Sequence, residues 1–182
     1  MEAMTRAAGQ DIAGVIESAV RGDEVAFARI VAAYNGEMSR VCVVVARDRS
    51  IAEEAVQAAW LIAWRKLGKV RDPERVRPWL VSIAVNEVKQ LLRKQRRRSQ
   101  VEIGVDATGV PGGLDPGATI GSLDLRKALE GLDPDDRALL AMRYVAGFNS
   151  TELSTAIGLT PSGTRNRLER LLSRLRQELS DG

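Results

Sequence analysis

TELSTAIGLTPSGTRNRLERLLSRLR, residues 151–176, carries five arginines in its last twelve positions, directly behind a Gly-Leu-Thr-Pro corner. Its first residues continue a short helical pattern, NSTELSTAIG, that Gly158 closes. Thr160 then has the right chemistry for an N-cap and Pro161 for a first helical position, so the spacing predicts a last helix running to about Leu179. Two helices joined by a short Gly-containing turn, the second longer and basic, form the helix-turn-helix pattern. At 100° per residue, Leu168, Leu171, Leu172, Leu175 and Leu179 fall on one stripe, which is core. Opposite lie Ser162, Gly163, Asn166, Arg170 and Gln177, flanked by Arg167 and Arg174, with Arg165 and Arg176 nearer the apolar edge. A recognition helix enters the major groove by its N-terminal end, where small residues permit close approach. Asn pairs with adenine, and Arg with guanine or phosphate. A merely solvated face would mix more acid among the bases, but Glu169 is the only one before Glu178.

Working upstream, DPDDRALLAMRYVAG reads as one helix capped by Asp133 with Pro134 at its first position, and LDLRKALEGL as another. Before them stands QVEIGVDATGVPGGLDPGATIGS, residues 100–122, with six glycines and two prolines that defeat both helical and strand periodicity. Its contour length is roughly 75 Å at ~3.3 Å per residue. On composition alone it is a flexible tether.

The N-terminal part is also helical. DIAGVIESAV ends at Arg21-Gly22, and Asp23 caps the next helix, which runs through YNGEMSRVCVVVA. SIAEEAVQAAWLIAWRKLG begins with Ser50 as cap and stops at Gly68 as a C′ residue, and Pro78 opens PWLVSIAVNEVKQLLRKQRRR. The expected fold is all-α. A four-helix bundle spans 10–99, a flexible acidic Gly/Pro-rich linker 100–122, and a helix-turn-helix domain 123–182.

Charge follows the same division. Residues 1–99 carry 18 basic and 12 acidic side chains, 100–122 carry three acids and no base, and 123–182 carry nine of each. Such asymmetry suggests parts with different partners. The chain has no histidine and one cysteine, Cys42, in an apolar stretch. Zinc sites of the usual kind and histidine acid/base chemistry are thereby excluded, and no nucleophile stands with a base. The reading expects no catalytic residue, metal or cofactor, no small-molecule substrate and no membrane insertion. MEAMTRAAGQDIAG lacks a secretory layout, which predicts a cytosolic protein.

Two features ask for a partner. AEEAVQAAWLIAWRKL is apolar nearly all round except for Glu54, Gln57 and Arg65, with Leu61 in their midst. It is either a buried central helix with a wet edge or a protein-docking stripe. QLLRKQRRR packs five basic residues into the six positions Arg93–Arg98, as a phosphate-binding patch or a solvated helix end.

Four stretches together resemble one family. RGDEVAFARIVAAY is similar to the opening Gly-Asp-x-x-Ala-Phe stretch of the extracytoplasmic-function (ECF) sigma factors of bacterial RNA polymerase. AEEAVQAAWLIAW is similar to their polymerase-binding helix, and RPWLVSIAVNEVKQLLR to their promoter-melting helix. LDPDDRALLAMRYVAGFNSTELSTAIGLTPSGTRNRLERLLSRLR follows their second domain. The resemblance covers about Asp23 to Leu179, and it implies a sigma-2-like domain, a sigma-4-like domain and promoter-specific transcription initiation. Val76 stands for a common aromatic, Gln90 for a common acid and Trp60 for the usual Phe, which bears on −10 preference and not on class.

The resemblance further implies roles. Glu53, Glu54, Gln57 and Leu61 would dock on the clamp of the polymerase's largest subunit, with the flap region as a second contact. Arg71, Arg75, Arg77, Trp79, Asn86, Lys89, Arg93, Arg96 and Arg97 would hold the melted −10 element, an unstacked base being captured at a cost of a few kcal/mol. Thr160, Ser162, Gly163, Arg165, Asn166, Arg167 and Arg170 would read the −35 element as duplex. The bridge would thread the polymerase exit channel, which replaces the tether reading. An anti-sigma factor is the expected inhibitor, holding the chain in the cytoplasm or at the membrane. The alternative is an autonomous helix-turn-helix repressor, which would need a dimerisation surface that the sequence does not display.

Overall fold

The computed structural model describes residues 12–101 and 131–180, which form helices and the turns between them, with no strand among the described residues. Helix α1 covers 12–20 and ends in a left-handed turn at Gly22 (φ 95°). Asp23 caps α2 (Glu24–Ala46), its Oδ1 accepting from the amides of Val25 and Ala26 at 2.9 and 3.1 Å. Helix α3 is Arg49–Lys66 and α4 is Val76–Val101. Beyond the undescribed stretch come α5 (Pro134–Leu140), α6 (Ser150–Ile157) and α7 (Pro161–Ser180).

Four boundaries differ from expectation, the smallest being that of α4, which starts at Val76, two residues before Pro78. Asp48, not Ser50, caps α3, accepting from the Ile51 amide at 2.9 Å. The cause is Arg47, which ends α2 in the left-handed region (φ 58°) and leaves Asp48 extended, so that Ser50 already lies inside the helix. Gly68 is not a left-handed stop. The chain tightens into a 3₁₀ turn, Leu67–Lys69, anchored by the buried Leu67. The segment after Asp133 is not one α-helix either, because α5 widens into a π turn over Ala141–Val145. Gly147 (φ 69°) then redirects the chain, and Phe148 enters the core completely. The expected helix LDLRKALEGL lies outside the described residues except for its last two positions, which form a turn.

The packing explains the low aromatic content. Helix α3 turns Ala52, Ala55, Ala59 and Ala63 inward, and this small-residue line lets α2 and α4 approach it closely. Ile30, Met38, Val41 and Val45 of α2 and Leu80, Val81, Val85 and Val88 of α4 fill the space between. Cys42 is part of this core, and burial pushes its thiol up to about 12. In the second part, Leu139, Met142, Phe148 and Leu153 are buried in the same cluster as Leu171 and Leu175 of α7. The two apolar centres join into one cluster, because α5, the π turn and α6 lie against α2 and α4.

Candidate nucleic-acid interface

The turn between α6 and α7 is built by local chemistry. Asn149 and Glu152 form a reciprocal capping box at the start of α6. Gly158 closes it in the left-handed conformation (φ 70°) with its N–H on the Ser154 carbonyl. Thr160 Oγ1 then accepts from the Gly163 amide at 3.1 Å and starts α7. A side chain at Gly163 would crowd that hydroxyl, since an added Cβ would lie 3.1 Å from it.

The arginines of α7 divide into two sets. Asp136, only 8% exposed, takes both Arg167 (2.9 Å to Oδ1) and Arg174 (2.7 Å to Oδ2). These two cations brace α7 against α5. Ser162, Arg165, Asn166 and Arg170 are exposed, and Arg170 also donates to the Asn166 carbonyl at 3.2 Å. The outward set thus starts with small and amide residues and continues with guanidinium groups, the order that groove entry requires. Thr164 lies on the inner side at 1% exposure, and its hydroxyl has no hydrogen-bond partner. Replacing it by Val removes a buried orphan at constant shape. Thr164→Val is expected to raise unfolding stability by about 1 kcal/mol in a urea titration while leaving DNA affinity unchanged.

The first part presents two further surfaces. Glu53, Glu54, Gln57 and Leu61 are exposed on α3, Leu61 at 64%. Glu53 is tied to Arg49 at 2.9 Å on the same surface. Trp64 (41% exposed) extends the apolar strip, packed edge-on against Phe27 with centroids 4.7 Å apart. Neighbouring Trp60 is turned inward and donates to Asn35 Oδ1 at 2.9 Å. Sequence reasoning missed the exposure of Trp64, although it lies three residues after Leu61 on one helical face. The second surface is α4, where Asn86, Arg93, Lys94, Arg96, Arg97 and Arg98 are exposed. Arg71 and Arg75 are exposed in the loop before it, while Trp79 is half-buried.

Arg75 pairs locally with Asp72 at 3.5 Å, and two more of the residues expected at the −10 element are engaged by the second helical part. Arg77 donates to both Glu37 oxygens (3.1 and 2.6 Å), to Glu152 Oε1 (3.1 Å) and to the Ala146 carbonyl. It also stacks over the Phe148 ring, 4.8 Å from the centroid. Burial alone would lower the guanidinium's pKa, but Glu37 and Glu152 outweigh it and hold the group above its ordinary value. Lys89 reaches Asp135 at 2.8 Å, and this hydrogen bond holds the Asp135 carboxyl below its usual range. Arg137, 6% exposed, was not foreseen as a joint. It donates to the Val45 carbonyl at the end of α2 (2.9 Å) and to the Leu132 carbonyl (2.5 Å). Among the described residues no three His, Cys, Asp or Glu side chains gather as a metal group, and no helix is long and apolar enough to cross a membrane.

A helix-turn-helix with a basic second helix, carried beside a helical part with its own basic helix and an exposed apolar strip, defines an all-helical protein of the transcription-factor class. Residues 30–98 match Sigma-70 region 2 and residues 122–175 match Sigma-70 region 4. The chain is 30% identical over 159 residues to the RNA polymerase sigma factor CarQ of Myxococcus xanthus, covering 85% of this chain and 87% of CarQ. It is 28% identical over 138 residues to the ECF RNA polymerase sigma factor SigL of Mycobacterium tuberculosis, covering 74% of this chain and 77% of SigL. Against the probable RNA polymerase sigma factor RfaY of Xanthomonas campestris it is 28% identical over 168 residues, 88% of this chain but only 42% of RfaY's length. The fold is also that of CnrH, solved in complex with the cytosolic domain of CnrY (TM-score 0.68, 21% identity, 92% of this chain and 96% of that one). The sigma factor RpoE of Bartonella quintana, solved with the anti-sigma factor NepR, gives 0.71 at 23% identity over 85% of this chain and 96% of its own. The chain belongs to the ECF sigma factors, non-enzymatic factors that direct promoter-specific transcription initiation.

Proposed function

We propose that this chain binds core RNA polymerase through α3 and promoter DNA through α4 and α7, and so starts transcription at promoters with paired −10 and −35 elements. The observation that carries the reading is the exposed Leu61–Trp64 strip framed by Glu53, Glu54 and Gln57, on the same chain as a helix-turn-helix. An apolar centre with a polar rim is the anatomy of a protein interface, and an autonomous repressor has no use for one at this place. Ser162, Gly163, Asn166, Arg165 and Arg170 would read duplex, with Thr160 fixing the tip. Arg71, Arg75, Trp79, Asn86 and the exposed run from Arg93 would hold the melted strand. Residues 10–99 and 123–182 would be the two domains and 100–122 the linker between them. The solved relatives were caught with CnrY and NepR, and we extend an anti-sigma partner to this chain on that ground. Its place of action would be the cytoplasm.

The test is a gel shift on fragmented genomic DNA with and without cognate core polymerase. Fragments shifted only with core, sharing two motifs at fixed spacing, support the reading, and tight binding of a palindrome by the chain alone refutes it. Leu61→Asp places a charge at the centre of the strip without touching the core. It is expected to weaken association with core polymerase at least about tenfold in a sedimentation or biolayer assay, with an unchanged circular dichroism spectrum.

A further inference from the structure

The exposed strip of α3 stands on an aromatic stack that is tied to α2 at two points. Phe27 of α2 touches two indoles edge-on, Trp60 with centroids 5.8 Å apart and Trp64 at 4.7 Å. Those indoles are one helical turn apart on α3, so a single ring meets both. Trp60 also donates from its indole nitrogen to Asn35 Oδ1 at 2.9 Å. Phe27 and Asn35 are eight residues apart, about 12 Å along α2 at the helical rise. Trp60 therefore holds α2 at both places, and sliding α3 along α2 by one residue breaks one hold or the other. The rest of the seam needs such a hold. Ala52, Ala55, Ala59 and Ala63 allow close approach but offer few knobs, and a seam without knobs specifies its register weakly. A phenylalanine at position 60 would meet Phe27 but has no N–H to give Asn35.

We propose that Asn35 and Trp60 are positioning residues for docking on core polymerase: their hydrogen bond fixes the register of α3 on α2 and so presents Leu61 and Trp64 already arranged for binding. The proposal rests on the reading that α3 is the polymerase-binding helix. Asn35 acts through Trp60, and Trp60 through the Phe27 ring against which Trp64 is packed. A strip arranged beforehand loses less conformational freedom on association, so affinity rises without any new contact. The hydrogen bond is reached by water, and its loss is expected to move the urea midpoint little. Docking and stability are thereby separable readouts.

Asn35→Leu keeps the bulk of the side chain and removes the acceptor, Trp60→Phe removes the donor, and Asn35→Asp keeps an acceptor oxygen in place. In a biolayer assay with core polymerase, Asn35→Leu is expected to weaken association about fivefold in the native chain and not at all in the Trp60→Phe chain, where no donor is left. Asn35→Asp is expected to lose nothing. In parallel, fluorotryptophan built into the full chain gives Trp64 its own fluorine resonance, assigned through Trp64→Phe. Asn35→Leu is expected to broaden or divide that resonance, because Trp64 then samples more than one register. Native core affinity in Asn35→Leu, a loss that persists in the Trp60→Phe chain, or a Trp64 resonance that Asn35→Leu leaves untouched overturns the proposal. The fluorine arm contains no polymerase and reads the register by itself. Leu61→Asp with native core affinity would refute the docking reading, whereas a loss in Leu61→Asp beside native affinity in Asn35→Leu would refute the positioning role alone.

Discussion

Arg137→Met is expected to destabilise the fold by about 3 kcal/mol, the sum of two buried carbonyls left without a donor at roughly 1–3 kcal/mol each, less what is regained by removing a desolvated charge. The guanidinium is 6% exposed and bonds the Val45 and Leu132 carbonyls. Burial lowers its pKa, and the nearby Arg47 and Arg96 add to that. It still remains charged, because an arginine is not deprotonated in a protein. Its position compensates for the missing carboxylate: Val45 is in the last turn of α2, where carbonyls lack helical partners and the helix dipole is negative. Arg137→Lys is expected to cost nearly as much, since a point ammonium cannot span both carbonyls as the planar fork does. Urea unfolding followed by circular dichroism measures both, and a neutral Arg137→Met would show that the joint is held by apolar contact alone. Its midpoint shift is also expected without change in secondary structure, because α5 is capped independently by Asp133, which accepts from the Asp136 amide at 2.8 Å.

Asp136→Asn is expected to cost about 2 kcal/mol and to change how α7 meets DNA. A fully buried pair broken on one side would cost 3–5 kcal/mol. Here the discount reflects Arg167 and Arg174, whose side chains are 36% and 55% exposed and can turn to water. Once released, they are free to reach phosphates. The slope of log affinity against log salt for duplex DNA is then expected to steepen by about 0.9 for each arginine recruited. Discrimination between sites should fall at the same time, because added phosphate contacts carry no sequence information and α7 has lost its brace. A slope equal to that of the native chain would mean that the two arginines stay on α5 without the carboxylate, and would remove Asp136 from any part in DNA reading.

Much of the helix layout could be read from residues whose effect is local. Asp23, Asp133, Gly158 and Pro161 act within one turn of where they stand, so their spacing alone placed the ends of α2, α5, α6 and α7. The leucine stripe of α7 and the apolar girdle of α3 needed only helical periodicity. The start of α3 was misplaced for a local reason, the left-handed Arg47, but the stop at Gly68 and the end of α5 were decided by distant contacts. Leu67 is drawn into the core and converts the expected stop at Gly68 into a 3₁₀ turn, and the completely buried Phe148 follows a π turn that no propensity announces.

The candidate site divides along the same line. Which residue types lie on which face of α7 is a matter of 100° per residue, and so is the exposure of Leu61 among polar neighbours. What each long cation does is not, because an arginine reaches far enough to choose among several acceptors and the choice depends on what another element brings near it. By itself the sequence determined that the chain is helical, in two parts, with a basic helix-turn-helix and no histidine to do acid/base chemistry. Only the tertiary structure decided that Arg167 and Arg174 brace α7 through Asp136, that Arg77 and Lys89 join the two parts, and that Arg137 caps a helix 92 residues away in the chain. The physical reason is range: capping and periodicity are set within four residues, whereas the partner of a buried charge is whatever acceptor the folded chain leaves unsatisfied within about 3 Å.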